Sequence, residues 1–241
     1  MRGGAALVLA AAVALGACGR MKDADDGAAG SAGASGGASG TAGFGGADAA
    51  ADAYASETIE TEAGADAGAC TAVIAQHPDE GAIHVNCLPV PTYGTRPPSS
   101  GNHYPIWADY GTYKTPVPWG HLVHDLEHGA IVIVYSCAAS DAACAAEIAR
   151  AQAMIDALPF PLDPADVDVA DGFECVAPTK HRVILAPDPT LDVRWAASAW
   201  TWTLRASCFD ETIFGGFITT HYAHGLENFC IELHEPFCDV Q

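Results

Sequence analysis

The hydrophobic pattern of the chain is densest at AIVIVY, Ala130 to Tyr135, where no polar residue interrupts a run rich in β-branched side chains. Such a run suits a central strand buried on both faces. Ser140 can then cap a helix from Asp141 to about Leu158, in which Cys144, Ile148, Ala151, Ile155 and Leu158 share one face and Pro159 and Pro161 end the run. Arg182 to Ala186 and Val193 to Arg205 read as two strands, joined as a hairpin by the turn Pro187-Asp188-Pro189-Thr190. A last helix, capped by Asp210, runs from Glu211 to about Tyr222, with Ile213, Phe214, Phe217 and Ile218 inward and Gly225 as its stop. The β-α-β-β-α order predicts an α+β fold with a mixed central sheet. It also fits a thioredoxin-like arrangement, but no CxxC pair is present, so that likeness would carry no redox role.

Ahead of these elements lies a stretch with no regular period, Pro89 to Trp119, holding seven prolines and the aromatics Tyr93, Tyr104, Trp107, Tyr110, Tyr113 and Trp119. Proline fixes an extended backbone and removes a ladder donor, so this segment is expected to wrap the domain, held by aromatic packing. Loops this long inside a compact domain tend to be functional.

The start of the chain follows another pattern. One arginine, an apolar run from Ala5 to Ala17 and the sequence Leu15-Gly16-Ala17-Cys18 read as a bacterial export signal, residues 1–17, ending in a lipobox. Cys18 would carry the lipid, making the protein a membrane-anchored envelope lipoprotein facing the periplasm or the cell surface. Gly19, in place of a retention aspartate, favours the outer membrane. Residues 18–69 are Gly, Ala, Ser and acids with few large apolar groups, and such a composition predicts an extended, disordered tether. Residues 70–241 then form one globular domain, expected to be monomeric.

Charge narrows the partners. The chain has 30 acidic against 10 basic residues, a formal charge of −20, which argues against nucleic acid and anionic lipid surfaces. Beyond Cys18, eight cysteines remain: Cys70, Cys87, Cys137, Cys144, Cys175, Cys208, Cys230 and Cys238. An even number in an exported domain predicts disulfides. Nearness in sequence suggests Cys70 with Cys87, Cys137 with Cys144 and Cys230 with Cys238, leaving Cys175 and Cys208.

The chemistry concentrates in HLVHDLEHG, His121 to Gly129. His124, Glu127 and His128 form HxxEH, a spacing that on a helix presents two imidazoles from one face to a single ion. The same pattern marks a class of zinc peptidases in which the glutamate is general base to a metal-bound water. Pro118, Gly120 and Gly129 leave room for at most about two helical turns, short for a catalytic scaffold helix. A zinc site needs a third ligand, and His103 in PPSSGNHYPIW is the best candidate, because the Gly101-Asn102 turn could aim it at the start of the strand. The reading is a binding site for zinc or copper formed by His103, His124 and His128, with Glu127 orienting them or a bound water. Two alternatives stand beside it: a zinc-dependent hydrolase, and an interaction domain in which these side chains only bond loop backbone as a latch. His221, His224 and Glu227 form a second cluster in sequence, whereas Asp163, Asp166, Asp168 and Asp171 read as a solvated loop.

The stretch PPSSGNHYPIWADYGTYKTPVP followed by LVHDLEHGAIVIVY resembles the bacterial family called domain of unknown function 3105, whose members carry a PPTSGxHxPxW-like loop, GxY and PVP segments and a VHxLEHG signature. The signature falls on His103, His124, Glu127, His128 and Gly129. Over roughly Cys70 to Tyr222 the resemblance implies a domain and a shared site, and no activity.

Overall fold

The computed structural model describes residues 56–61, 70–138, 140–167, 181–228, 230, 237 and 238. The expected signal peptide, Cys18 and most of the expected tether lie outside the described residues, as does Cys175.

The elements in chain order are β1 (Ser56–Thr61), β2 (Cys70–Gln76), β3 (Gly111–Thr112), α1 (Trp119–Glu127), β4 (Ile131–Tyr135), α2 (Ala142–Asp156), β5 (Val183–Pro187), β6 (Trp195–Ala199), β7 (Trp202–Ala206) and α3 (Glu211–His221), with a single 3₁₀ turn at Pro164–Asp166. Among the described residues the strands form one mixed sheet in the order β1-β2-β7-β6-β4-β5-β3. The α+β class is therefore as the sequence implies. No helix among the described residues is long and apolar enough to cross a membrane.

Strand β4 is buried along its whole length, as its apolar run requires. Its alternation divides the domain into two cores. Ile131, Ile133 and Tyr135 face α2 and α3, meeting Cys144, Ile155, Phe214 and Phe217, while Val132 and Val134 face α1 and the Pro-rich segment, meeting Leu122, Leu126 and Tyr110. Asp141, not Ser140, caps α2, accepting from the Ala143 amide; Asp210 caps α3, accepting from Thr212 and Ile213.

Several expectations are corrected. β5 and β6 are not a hairpin: β4 lies between them, parallel to β5 and antiparallel to β6. Their connection passes over the end of β4, where the Tyr135 carbonyl accepts from Asp188 and Ser136 bonds Val193 and Arg194. Turn residues signal a chain reversal but not which strand fills the space between its arms. The hairpin is β6–β7, inside what reads as one strand, and its turn residue Thr201 has φ +62°. Bonds from Thr201 to the Ser99 carbonyl and from His77 to the Thr201 carbonyl hold that conformation. Ser56–Thr61, expected within the tether, pairs antiparallel with β2, where Thr and Ile suit an extended backbone. Asp166, expected in a solvated loop, is buried.

Of the sequence-adjacent disulfides only Cys137–Cys144 forms; the others are Cys70–Cys208 and Cys87–Cys238, and Cys230 is also disulfide-bonded. Sheet register, not distance along the chain, decides the first: Ala72 lies opposite Ala206, which brings Cys70 beside Cys208. Disulfides of this kind form and persist in an oxidising environment.

Arg182 is the hub that joins the layers. Its side chain is 0% exposed, with Nε donating to Asp166 Oδ1 at 2.9 Å and Nη1 to the His128 carbonyl and Asn228 Oδ1, each at 2.7 Å. The Tyr222 hydroxyl donates to the same Asp166 oxygen and accepts from the Arg182 amide, and the guanidinium lies 4.9 Å from the centre of the Tyr222 ring. Substituting Arg182→Leu strands a buried carboxylate, and a loss of about 3–5 kcal/mol in chemical denaturation is the expected result. Arg182→Lys should recover little of it, because an ammonium cannot reproduce the fork.

His221 is packed between Trp202 and Phe217, at centroid distances of 4.6 Å from each. Burial first, and then the neighbouring His224, pulls its pKa from 6.5 down to about 4. The unfolded chain takes up this proton near pH 6.5 and the folded chain only near 4, so the stability present above pH 6.5 is lost as pH falls through that window. Each such histidine costs up to about 1.4 kcal/mol per pH unit. Thermal melts of His221→Phe between pH 7 and 4 should therefore show a shallower decline than the native chain; an identical slope would refute this account.

Candidate metal centre

Helix α1 is unusual in being buried nearly all round while carrying His121, His124, Asp125 and Glu127. Pro118 starts it, and it runs for nine residues, two and a half turns. Gly120 lets it lie directly on Tyr104: a Cβ there would sit 2.4 Å from the ring. Gly129, at φ +82°, turns the chain out of the helix into β4.

Buried polar groups require partners, and here the backbone of the Pro-rich segment supplies them. His124 Nδ1 donates to the Tyr104 carbonyl at 2.6 Å, His121 Nδ1 to the Ile106 carbonyl at 2.6 Å, and Asp125 accepts from the Ala108 amide at 3.1 Å. The far nitrogen of His121 is also used, accepting from the Cys238 amide at 3.0 Å. Burial raises the pKa of Asp125 well above its ordinary value.

His103 arrives from the preceding turn. Its backbone pairs with the segment through Ile83 and Val85, which sets His84 beside it, and its Nδ1 donates to the Gly101 carbonyl at 2.9 Å. The Nε2 of His103 is fully buried and makes no hydrogen bond, yet lies 3.0 Å from Glu127 Oε2. With Nδ1 donating to a carbonyl, Nε2 bears a lone pair. A lone pair and a carboxylate oxygen that close call for a proton or a metal cation between them.

Two further ring nitrogens converge on that oxygen: His84 Nε2 at 3.7 Å and His124 Nε2 at 4.0 Å. Donors bound to one tetrahedral zinc at 2.0–2.2 Å stand roughly 3.3–3.6 Å apart. Ligand atoms of His84, His103, His124 and Glu127 all lie within 4.8 Å of one another, so the four could hold one ion. The carbonyl bonds to the Nδ1 atoms of His103 and His124 fix the tautomer and ring orientation that metal ligation needs. Burial lowers the pKa of His103 and brings that of His124 to about 3, which keeps both imidazoles neutral, the form that binds metal. Burial raises the Glu127 pKa, opposed by His84.

The sequence pattern placed His128 in this set; the structure places it next door. His128 lies with Glu127 and Glu227 in an adjoining group whose ligand atoms are again within 4.8 Å of one another, and its Nε2 is 3.5 Å from Glu227 Oε2. Its ring packs against His124 at 4.6 Å and Trp107 at 4.7 Å. Burial, and then the histidines around it, brings its pKa to about 2.

Glu227 is carried there by the chain after α3. The Ala223 amide donates to the Gly129 carbonyl and the Glu227 amide to the Glu127 carbonyl, both at 2.8 Å. Gly225, expected to stop α3, instead permits this approach: a Cβ there would lie 2.1 Å from the Glu127 oxygen. The expected grouping of His221, His224 and Glu227 is not found among the described residues: His221 is buried between Trp202 and Phe217, and Glu227 joins Glu127 and His128.

The residue that sequence reasoning missed is His84. It stands alone in AIHVNC, nineteen positions before His103, and joins the site through an isolated backbone bridge to His103, outside the strands, that no local spacing announces. It is also the site's opening to solvent: its side chain is 52% exposed, and it lines a cleft of about 710 Å³ with Glu80, Leu88, Pro91 and Asn102.

Comparison with curated proteins and with solved structures gave no significant match. The model of the family described as Protein of unknown function (DUF3105) matches residues 84–229, a span that begins at His84 and takes in both ligand groups. With more than half its length matched, the chain belongs to that family.

Proposed function

We propose that this protein is a metal-binding module of the bacterial envelope, holding one transition-metal ion on His84, His103, His124 and Glu127. The observation that carries the proposal is the orphaned, fully buried His103 Nε2, 3.0 Å from Glu127 Oε2 with two more imidazole nitrogens converging on the same oxygen. A single shared proton would satisfy one of those contacts; an ion satisfies all of them. Three imidazoles and a carboxylate suit zinc or copper. The position of Glu127 amid the nitrogens supports its use as a ligand, which weighs against the hydrolase alternative, where it would stand off the metal as a base.

Metal analysis of the oxidised full chain, purified without chelator, should find close to one zinc or copper ion per chain that withstands exchange into metal-free buffer. His84→Ala, at an exposed position, should leave the melting temperature of the metal-free protein unchanged. Its zinc affinity should fall by more than the 10–100-fold typical of losing an outer partner. In the native chain, zinc at 100 times its dissociation constant should add about 2.7 kcal/mol of stability. No bound metal and no shift in melting with zinc would leave the latch reading in its place.

The disulfides support an exported location, and the lipobox reading assigns the anchor to Cys18. Radiolabelled palmitate should enter the native chain and fail to enter Cys18→Ser.

A further inference from the structure

The geometry points to a second metal ion beside the first, held by Glu127, His128 and Glu227, with the Glu127 carboxylate bridging the pair. This rests on the single-ion reading of the first group. The two sets of ligand atoms are each mutually within 4.8 Å and have Glu127 in common. A carboxylate has two oxygens, and one that bridges two cations satisfies both sites at once. Such pairs stand about 3.5–4 Å apart in known two-metal centres, a span set by the bridging group.

The structure commits resources to Glu227 that a surface acid would not need. Its amide is bonded to the carbonyl of Glu127 itself, and Gly225 is pressed against that carbonyl where no side chain would fit. The carbonyl of His128 is fixed by the buried Arg182, and the His128 ring is packed against Trp107 and His124. So the second group is held by backbone stitching on one side and ring packing on the other, with the half-exposed Glu227 completing it from solvent. With three protein ligands, a tetrahedral second ion keeps a coordination position for water or a substrate oxygen, whereas the first, with four, is closed.

Stoichiometry of Co(II) binding to the oxidised full chain, titrated against a competing chelator that strips weak surface sites, separates the possibilities. Two ions per native chain are expected, falling to one in Glu227→Ala, with affinity for the retained ion within about threefold of native and an unchanged melting temperature for the metal-free variant. Electron paramagnetic resonance should show spin coupling in the two-cobalt native chain and an isolated ion in the variant. One ion in the native chain would overturn the bridged pair while leaving the first site standing. Two ions in both proteins, without coupling, would place the second elsewhere and overturn it equally. No ion in the native chain would bring down the first reading along with this one.

Discussion

The architecture around the site depends on the burial of a polar helix. Helix α1 is surrounded by protein, yet four of its nine residues, His121, His124, Asp125 and Glu127, are titratable, and a buried polar atom without a partner is costly. The partners come from the extended backbone of residues 104–108, which proline and aromatic residues keep from forming a sheet of its own. One set of hydrogen bonds therefore closes the long segment onto the domain and turns the imidazoles so that their remaining nitrogens face inward. The latch and the metal centre are thus two consequences of one arrangement, and they differ only in what lies between His103 and Glu127.

Much of the scaffold was legible because its signals are local. The β-branched run of β4, the face of α2 and the capped start of α3 each follow from spacing and from a cap residue within a few positions. HxxEH on a short helix with His103 nearby was readable for the same reason, since helical periodicity orders His124, Glu127 and His128. A few errors are local, the α2 cap at Asp141 in place of Ser140 and the turn at Thr201 within an apparent single strand, but those that shape the site are non-local. Periodicity does not reveal that β4 separates β5 from β6, that Cys70 meets Cys208 across a register, or that His84 stands beside His103 through a bridge of single residues. The His128 ring stays beside that of His124, as the spacing gives, but its ligand atom groups with Glu127 and with Glu227, a residue about a hundred positions away that no local pattern announces.

Four separate pieces of chain meet at the centre: the segment carrying His84, the turn carrying His103, helix α1, and the stretch from Ala223 to Glu227. Each is tied to α1 or its neighbours by backbone bonds as well as by ring packing, as between Ile83 and His103, Tyr104 and Gly120, and Glu127 and Glu227. A multi-ligand site demands that its supports hold position to within about 0.5 Å, which rigid backbone ties and locked rotamers provide. Arg182 reinforces this by drawing the 3₁₀ turn, the end of α1 and the end of α3 onto one guanidinium.

The Cys87–Cys238 bridge lies at the edge of this assembly: Cys87 follows His84 by three residues, and the amide of Cys238 is bonded to His121 on α1. The cross-link thus limits the excursions of His84, the most exposed of the candidate ligands, and a group ordered in advance loses less entropy on binding. Under the metal-binding reading proposed above, oxidation of this pair and loading of an ion are thermodynamically linked, and the thiol balance of the surroundings becomes a setting on the affinity of the site.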